Sequence, residues 1–133
     1  MNGILLVDDS LEFQQLMTEL LELSGYVVRR ASTGQQALDH MFAQYAPVVL
    51  IDEDLPDFTG TELSYRLKAA ARVTWGGKKC VTVAVRGDVT MDQVADWSGA
   101  DYVVLKPFNY NAFDQLIVRC FKEAAETIEG TTE

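Results

Sequence analysis

Asp8 and Asp9, residues 52–54, residues 86–88 and Lys106 each follow directly on a short apolar run in this 133-residue chain. If those runs are parallel strands, the residues after them meet at one edge of a sheet, where their carboxylates repel one another. Such a cluster asks for a counter-charge, and a hard divalent cation with oxygen ligands is the natural one. Lys106 offers a second positive point charge. A carboxylate held beside a divalent cation and an ammonium can attack a phosphoryl group, because both cations neutralise charge on the phosphoryl oxygens. Asp52 is the central carboxylate of the set. A single aspartate at the start of a loop is ordinarily a solvated turn residue. Four sequence-distant positions converging on one edge are not accounted for in that way.

The elements that must position these groups follow from hydrophobic period, caps and breakers. Strands are predicted over residues 3–7, 26–30, 48–51, 80–85 and 102–105. Helices alternate with them. The first opens at Ser10 and carries Phe13, Leu16, Met17, Leu20 and Leu21 as one apolar stripe. Thr33 with Gln36, and Thr59 with Glu62, have the spacing of capping boxes for the second and third helices. The second helix presents Leu38, Met41, Phe42 and Tyr45; the third holds Leu63 and Leu67 and fades near Arg72. A modest helix spans 89–98, and Asn109 caps a last helix with Phe113, Leu116, Ile117, Cys120 and Phe121 on one side. Five short apolar strands, each followed by a helix, imply an α/β domain with a parallel sheet covered on both faces.

Composition excludes several classes of function. The longest apolar runs are strand-sized, well short of the roughly 18 residues of a membrane span. The first strand begins almost at Met1, which leaves no space for a signal region, so a cytoplasmic location is expected. A net charge of −9 opposes DNA and anionic lipid alike. Cys80 and Cys120 lie in apolar stretches with no CxxC or Cys/His cluster, so they read as two reduced core thiols. His40, the single imidazole, falls on the second helix, away from the strand ends.

Three segments together carry a specific resemblance: Val7-Asp8-Asp9-Ser10; Asp52-Glu53-Asp54-Leu55-Pro56, with Gly60 eight residues after Asp52; and residues 99–108, Gly-Ala-Asp-Tyr-Val-Val-Leu-Lys-Pro-Phe. The chain resembles a response-regulator receiver domain of two-component signalling over essentially its whole length. The resemblance implies a flavodoxin-like (CheY-like), doubly wound, five-stranded sheet of order 2-1-3-4-5. It makes Asp52 the phosphoacceptor, Asp9 a direct Mg²⁺ ligand and Asp8 a water-mediated partner, with Asp54 offering its backbone carbonyl to the metal. Lys106 bridges Asp52 and the phosphoryl oxygens, Pro107 follows a cis peptide bond, and Gly60 relieves crowding at the start of the third helix. The implied partners are a sensor histidine kinase or phosphotransfer protein and a downstream effector. Catalysis is limited to self-phosphorylation and self-dephosphorylation. Residues 1–126 form the receiver, and residues 127–133 a polar tail or linker of a stand-alone regulator or of a longer protein.

The chain also departs from the family. Counting back from Lys106, the hydroxyl residue that normally ends the fourth strand falls on Ala84, and the aromatic switch position falls on Val103. Thr82 is two residues upstream, about 6.6 Å further from the carboxyl edge. Tyr102 points to the other face from Val103. Val85 stands where the family has a smaller residue, and its branched side chain narrows the approach to Asp52. Asp54 and Arg86 flank the site with opposite charges and could pair across its mouth, which would obstruct water and slow the loss of phosphate. Trp97, Tyr102, Tyr110 and Phe113 gather near the face through which receivers dimerise or meet outputs; core packing is the competing reading. Two further readings stand beside the phosphorylated switch. One is a pseudo-receiver, an interaction module whose switching is impaired by Ala84, Val85 and Val103. The other, more remote, is a haloacid-dehalogenase-like phosphatase, because Asp52-Glu53-Asp54 also resembles that family's nucleophile and general-acid pair.

Overall fold

A computed structural model describes residues 2–52, 55–87, 99–106 and 109–126. Five strands, β1 (Gly3–Val7), β2 (Val27–Ala31), β3 (Val48–Asp52), β4 (Val81–Arg86) and β5 (Tyr102–Leu105), form one sheet of order β2-β1-β3-β4-β5, with every neighbouring pair parallel. Helices α1 (Leu11–Leu23), α2 (Gly34–Ala43), α3 (Gly60–Thr74) and α4 (Tyr110–Ala125) cover it. The predicted fold class and strand order are those observed. The helix expected over 89–98 and the tail 127–133 lie outside the described residues.

The side-chain alternation of the strands builds two cores. Leu5, Val7, Val49 and Ile51 face α2 and α3, whereas Ile4, Leu6, Val48, Leu50, Val81, Val83 and Val85 face α1 and α4. Each helix starts where a side chain can accept an otherwise unpaired backbone N–H. Ser10 Oγ accepts from Phe13 N at 3.2 Å, Thr33 Oγ1 from Gln36 N at 3.1 Å, Thr59 Oγ1 from Glu62 N at 3.1 Å and Asn109 Oδ1 from Ala112 N at 3.1 Å. Each cap contributes about 1 kcal/mol. Among the described residues no helix is long and apolar enough to cross a membrane.

Two expected apolar stripes are corrected. Leu16 and Phe42 are 55% and 53% exposed. On α1 the inner face is Gln14, Met17, Thr18 and Leu21, with two polar residues at buried positions. Gln14 holds that place because its amide donates to the carbonyls of Asp8 and Ala31 at the ends of β1 and β2. Strand ends also differ by a residue: β2 runs one residue later than expected at both ends, β3 includes Asp52, and β4 begins at Val81 and includes Arg86. Helix α3 continues two residues past Arg72, to Thr74.

Candidate functional site

The sheet register sets the site. Val7 pairs with Ile51, so the next residue on each chain, Asp8 and Asp52, emerges at the same edge. Ligand oxygens of Asp8, Asp9 and Asp52 all lie within 4.8 Å of one another. Asp8 is only 2% exposed, Asp52 is half-buried and Asp9 is exposed. The backbone of Asp8 is fixed from two sides: its N–H donates to Ala31 O at 3.0 Å and its carbonyl accepts from the Gln14 amide. One side-chain oxygen, Oδ1, accepts from Ser10 N at 2.8 Å, while Oδ2 is buried without a hydrogen-bond partner.

Burial pushes the Asp8 carboxyl up to about 6 from an ordinary 3.8, opposed by the Ser10 N–H, reinforced by the charge of Asp52, relieved by Lys106 and reinforced again by Asp9. A buried carboxylate oxygen with no donor, beside two further carboxylates, suits one hard cation taking oxygen ligands and water. These residues therefore fit Mg²⁺.

Lys106 follows β5 at the same edge, where its N–H donates to Arg86 O at 2.6 Å. Its ammonium lies 3.9 Å from the centroid of the Phe13 ring on α1, and its charge is felt at Asp8. Val85 is opposite Asp52 in the β3–β4 register and packs into the core on the α1/α4 side. Arg86 is half-buried at the end of β4. Of the remaining predicted positions, Asp54, Pro107 and Trp97 lie outside the described residues, so the Asp54–Arg86 pair does too.

Ala84 and Val103 are register partners on adjacent strands, and neither side chain can form a hydrogen bond. Thr82 does not replace them. Its hydroxyl is fully buried, 2.6 Å from Ser64 Oγ, and the Ser64 hydroxyl donates to Gly99 O at 2.7 Å. Ser64 has a single proton, committed to Gly99, so Thr82 is the donor between the two hydroxyls. Asp101 N–H donates back to Thr82 Oγ1 at 3.3 Å. This hydroxyl belongs to the packing between α3, β4 and the start of β5.

Tyr102 points away from Val103, as expected, packs against the α1/α4 core and donates to Glu123. Tyr110 donates to Leu20 O at 2.9 Å and lies 3.0 Å from Ser24 Oγ, so its hydroxyl ties α4 to α1, and Phe113 is core. His40 packs beside Arg29, distant from the strand ends, and Cys80 and Cys120 are buried free thiols raised by burial to about 12.

Four residues around the site were not singled out from the sequence. Phe13 belongs to the apolar stripe expected of the first helix, whereas Gln14 and Ser64 are polar residues within helices that carry no sequence signal of their own. Asp57 is the fourth: its carboxylate accepts from Gly34 N at 2.8 Å and Gln35 N at 2.9 Å, which fastens the β3–α3 loop onto the start of α2. Slight desolvation raises the Asp57 carboxyl, the amides of Gln35 and Gly34 outweigh it, and the group titrates below the ordinary range. Gly34 permits the contact, since a Cβ there would come 2.2 Å from the Phe58 ring.

A family model described as "Response regulator receiver domain" matches residues 4–118. The CpxR homolog of Haemophilus influenzae, a transcriptional regulatory protein, is 34% identical over 110 residues, covering 82% of this chain and 45% of the relative. The chain thus spans less than half the length of that protein. Sporulation initiation phosphotransferase F of Bacillus subtilis is 29% identical over 106 residues, covering 80% of this chain and 82% of that one. Among solved structures, a CheY-like response regulator receiver domain protein from Methanospirillum hungatei JF-1 superposes with a TM-score of 0.77 at 27% identity, covering 95% of this chain and 98% of that one.

Proposed function

The chain belongs to the response regulator receiver domain family, and on that premise we propose that Asp52 accepts a phosphoryl group from a sensor histidine kinase or phosphotransfer protein. The observation that carries this reading is the convergence of Asp8, Asp9 and Asp52 within 4.8 Å at the strand ends where Lys106 also emerges. An Asp52 oxygen attacks phosphorus, the O–P bond forms, and the P–N bond to the donor imidazole breaks with the imidazole as leaving group. Lys106 neutralises charge on the phosphoryl oxygens as they approach Asp52. Asp8 and Asp9, with Asp52, would hold Mg²⁺, which when bound supplies further charge neutralisation at those oxygens. Asp54, through its backbone carbonyl, completes the proposed metal set, and Pro107 the proposed turn after Lys106.

The output is proposed to run to a partner or effector domain. Homodimerisation through the strand over 102–105, the last helix and the helix expected over 89–98 is a proposal of the same standing. One observation favours a second reading: Ala84 and Val103 face each other across β4 and β5, and the hydroxyl of Thr82, two residues before Ala84, is committed to Ser64. Among the described residues, the two positions where the family carries its switch hydroxyl and aromatic ring are Ala84 and Val103, which supports a receiver that binds phosphate, or a partner, without that switch.

The test is incubation with a histidine kinase and ATP, followed by intact mass. The chain is expected to gain one phosphoryl group with Mg²⁺ present and none as Asp52→Asn. Equal labelling of both proteins would overturn the assignment. Beryllofluoride with Mg²⁺ separates the two readings: binding with spectral changes in the β4–β5 region favours the conventional switch, and binding without them favours the module.

A further inference from the structure

We infer that Phe13 is a positioning residue for the Lys106 ammonium, an inference that rests on the phosphoacceptor reading of Asp52. The ammonium stands 3.9 Å from the Phe13 ring centroid, close enough for the negative face of the ring to attract it. Lysine otherwise presents a hydrated point charge on a flexible stem, and ordering that stem costs rotamer entropy. A fixed aromatic face reduces this cost by giving the ammonium one preferred side of the acidic edge.

The ring itself is held. Phe13 N–H is the group capped by Ser10 Oγ, so the residue is locked into the first turn of α1 directly after Asp8 and Asp9. The side chain is half-buried against the α1/α4 core, and Tyr110 secures α1 further along through Leu20 O. The stem of Lys106 runs past Gly87, where even a Cβ would only reach van der Waals contact at 3.7 Å. Phe13 therefore lies on the sheet face opposite to Thr82, which ties the ammonium to α1 rather than to the β4–β5 pair formed by Ala84 and Val103.

The test uses beryllofluoride with Mg²⁺ on the full chain and a double-mutant cycle. Phe13→Leu keeps an apolar side chain of similar size, so the unfolding midpoint should move little. It is expected to weaken beryllofluoride binding roughly threefold to tenfold. Phe13→Tyr, which keeps the ring face, should bind as the unmodified chain does. In a Lys106→Met background, Phe13→Leu should have no further effect. A contact readout that needs no ligand is the ring-current shift of the Lys106 ε-methylene protons, upfield in the free protein and lost in Phe13→Leu. Equal weakening by Phe13→Leu in both backgrounds, or an unshifted Lys106 signal in a chain that binds beryllofluoride, overturns the positioning role alone. Failure of the unmodified chain to bind beryllofluoride overturns the phosphoacceptor reading, and with it the purpose assigned to the contact.

Discussion

Asp8 is the residue at which folding and chemistry oppose each other. In the unfolded chain its carboxyl titrates near 3.8, and in the folded protein near 6, mainly because burial disfavours its charge. Below the unfolded value both states are protonated and there is no penalty; above the folded value both are ionised and the folded state carries all of it. Stability contributed by this residue is therefore lost as pH rises from about 4 to about 6, on the order of 3 kcal/mol at 1.36 kcal/mol per unit. Asp8→Asn keeps an oxygen for the Ser10 N–H and removes the charge. In metal-free buffer at pH 7.5 it is expected to raise unfolding stability in urea by about 1–3 kcal/mol, with no gain near pH 4. The same variant should weaken Mg²⁺ binding, read by titration calorimetry, by at least about tenfold. Loss of stability at pH 7.5 would contradict this account. The pairing of Asp8 with Asp52 was legible because two strand ends announced it. The depth of Asp8 was not, since it depends on Gln14 drawing the start of α1 over the ends of β1 and β2.

Elements were legible in proportion to how local their causes are. Ser10, Thr33, Thr59 and Asn109 all cap the helices expected of them, because a cap is decided within four residues. The ends of β2, β3 and β4 moved by a residue because sheet pairing, not strand composition, sets them. Leu16 lies outside the stripe because Gln14 and Thr18 occupy inner positions that hydropathy alone assigns to apolar residues. Two predictions belong at this scale. Thr82→Val removes the donor to Ser64 and an acceptor for Asp101 while leaving the Ser64–Gly99 bond, so stability should fall by about 1 kcal/mol. Once phosphate is loaded, its lifetime on Asp52 should not change, whereas a shortened lifetime would show that this hydroxyl does reach the site. Asp57→Ala frees two N–H groups at the start of α2 and should cost about 0.5–2 kcal/mol. Hydrogen exchange at Gly34 and Gln35 should quicken with it; unchanged protection there would dismiss the tether.

Across the whole molecule charge is unevenly divided. Residues 63–87 hold six of the 11 Lys+Arg and no carboxylate, although the net charge is −9. The acidic groups are left concentrated elsewhere, and among the described residues Asp8, Asp9 and Asp52 bring their oxygens within 4.8 Å of one another at one sheet edge. Two kinds of electrostatic relief are then separable. Monovalent salt screens the general self-repulsion, with a Debye length of about 8 Å at physiological ionic strength. A divalent ion at the three carboxylates also acts by mass action, because an unfolded chain does not bring Asp8 and Asp52 together. At a concentration 100 times its dissociation constant, Mg²⁺ should add about 2.7 kcal/mol. For a domain of this size that corresponds to a rise in the thermal midpoint of roughly 10 °C. The measurement is a pair of melts at matched ionic strength, one with MgCl₂ and one with NaCl, followed by excess chelator. The magnesium melt should lie higher, return to the sodium value on chelation, and lose most of its advantage in Asp52→Asn. Coincident melts would mean that the carboxylates share an edge without sharing an ion, and the phosphoacceptor reading would lose the cation on which its electrostatics depend.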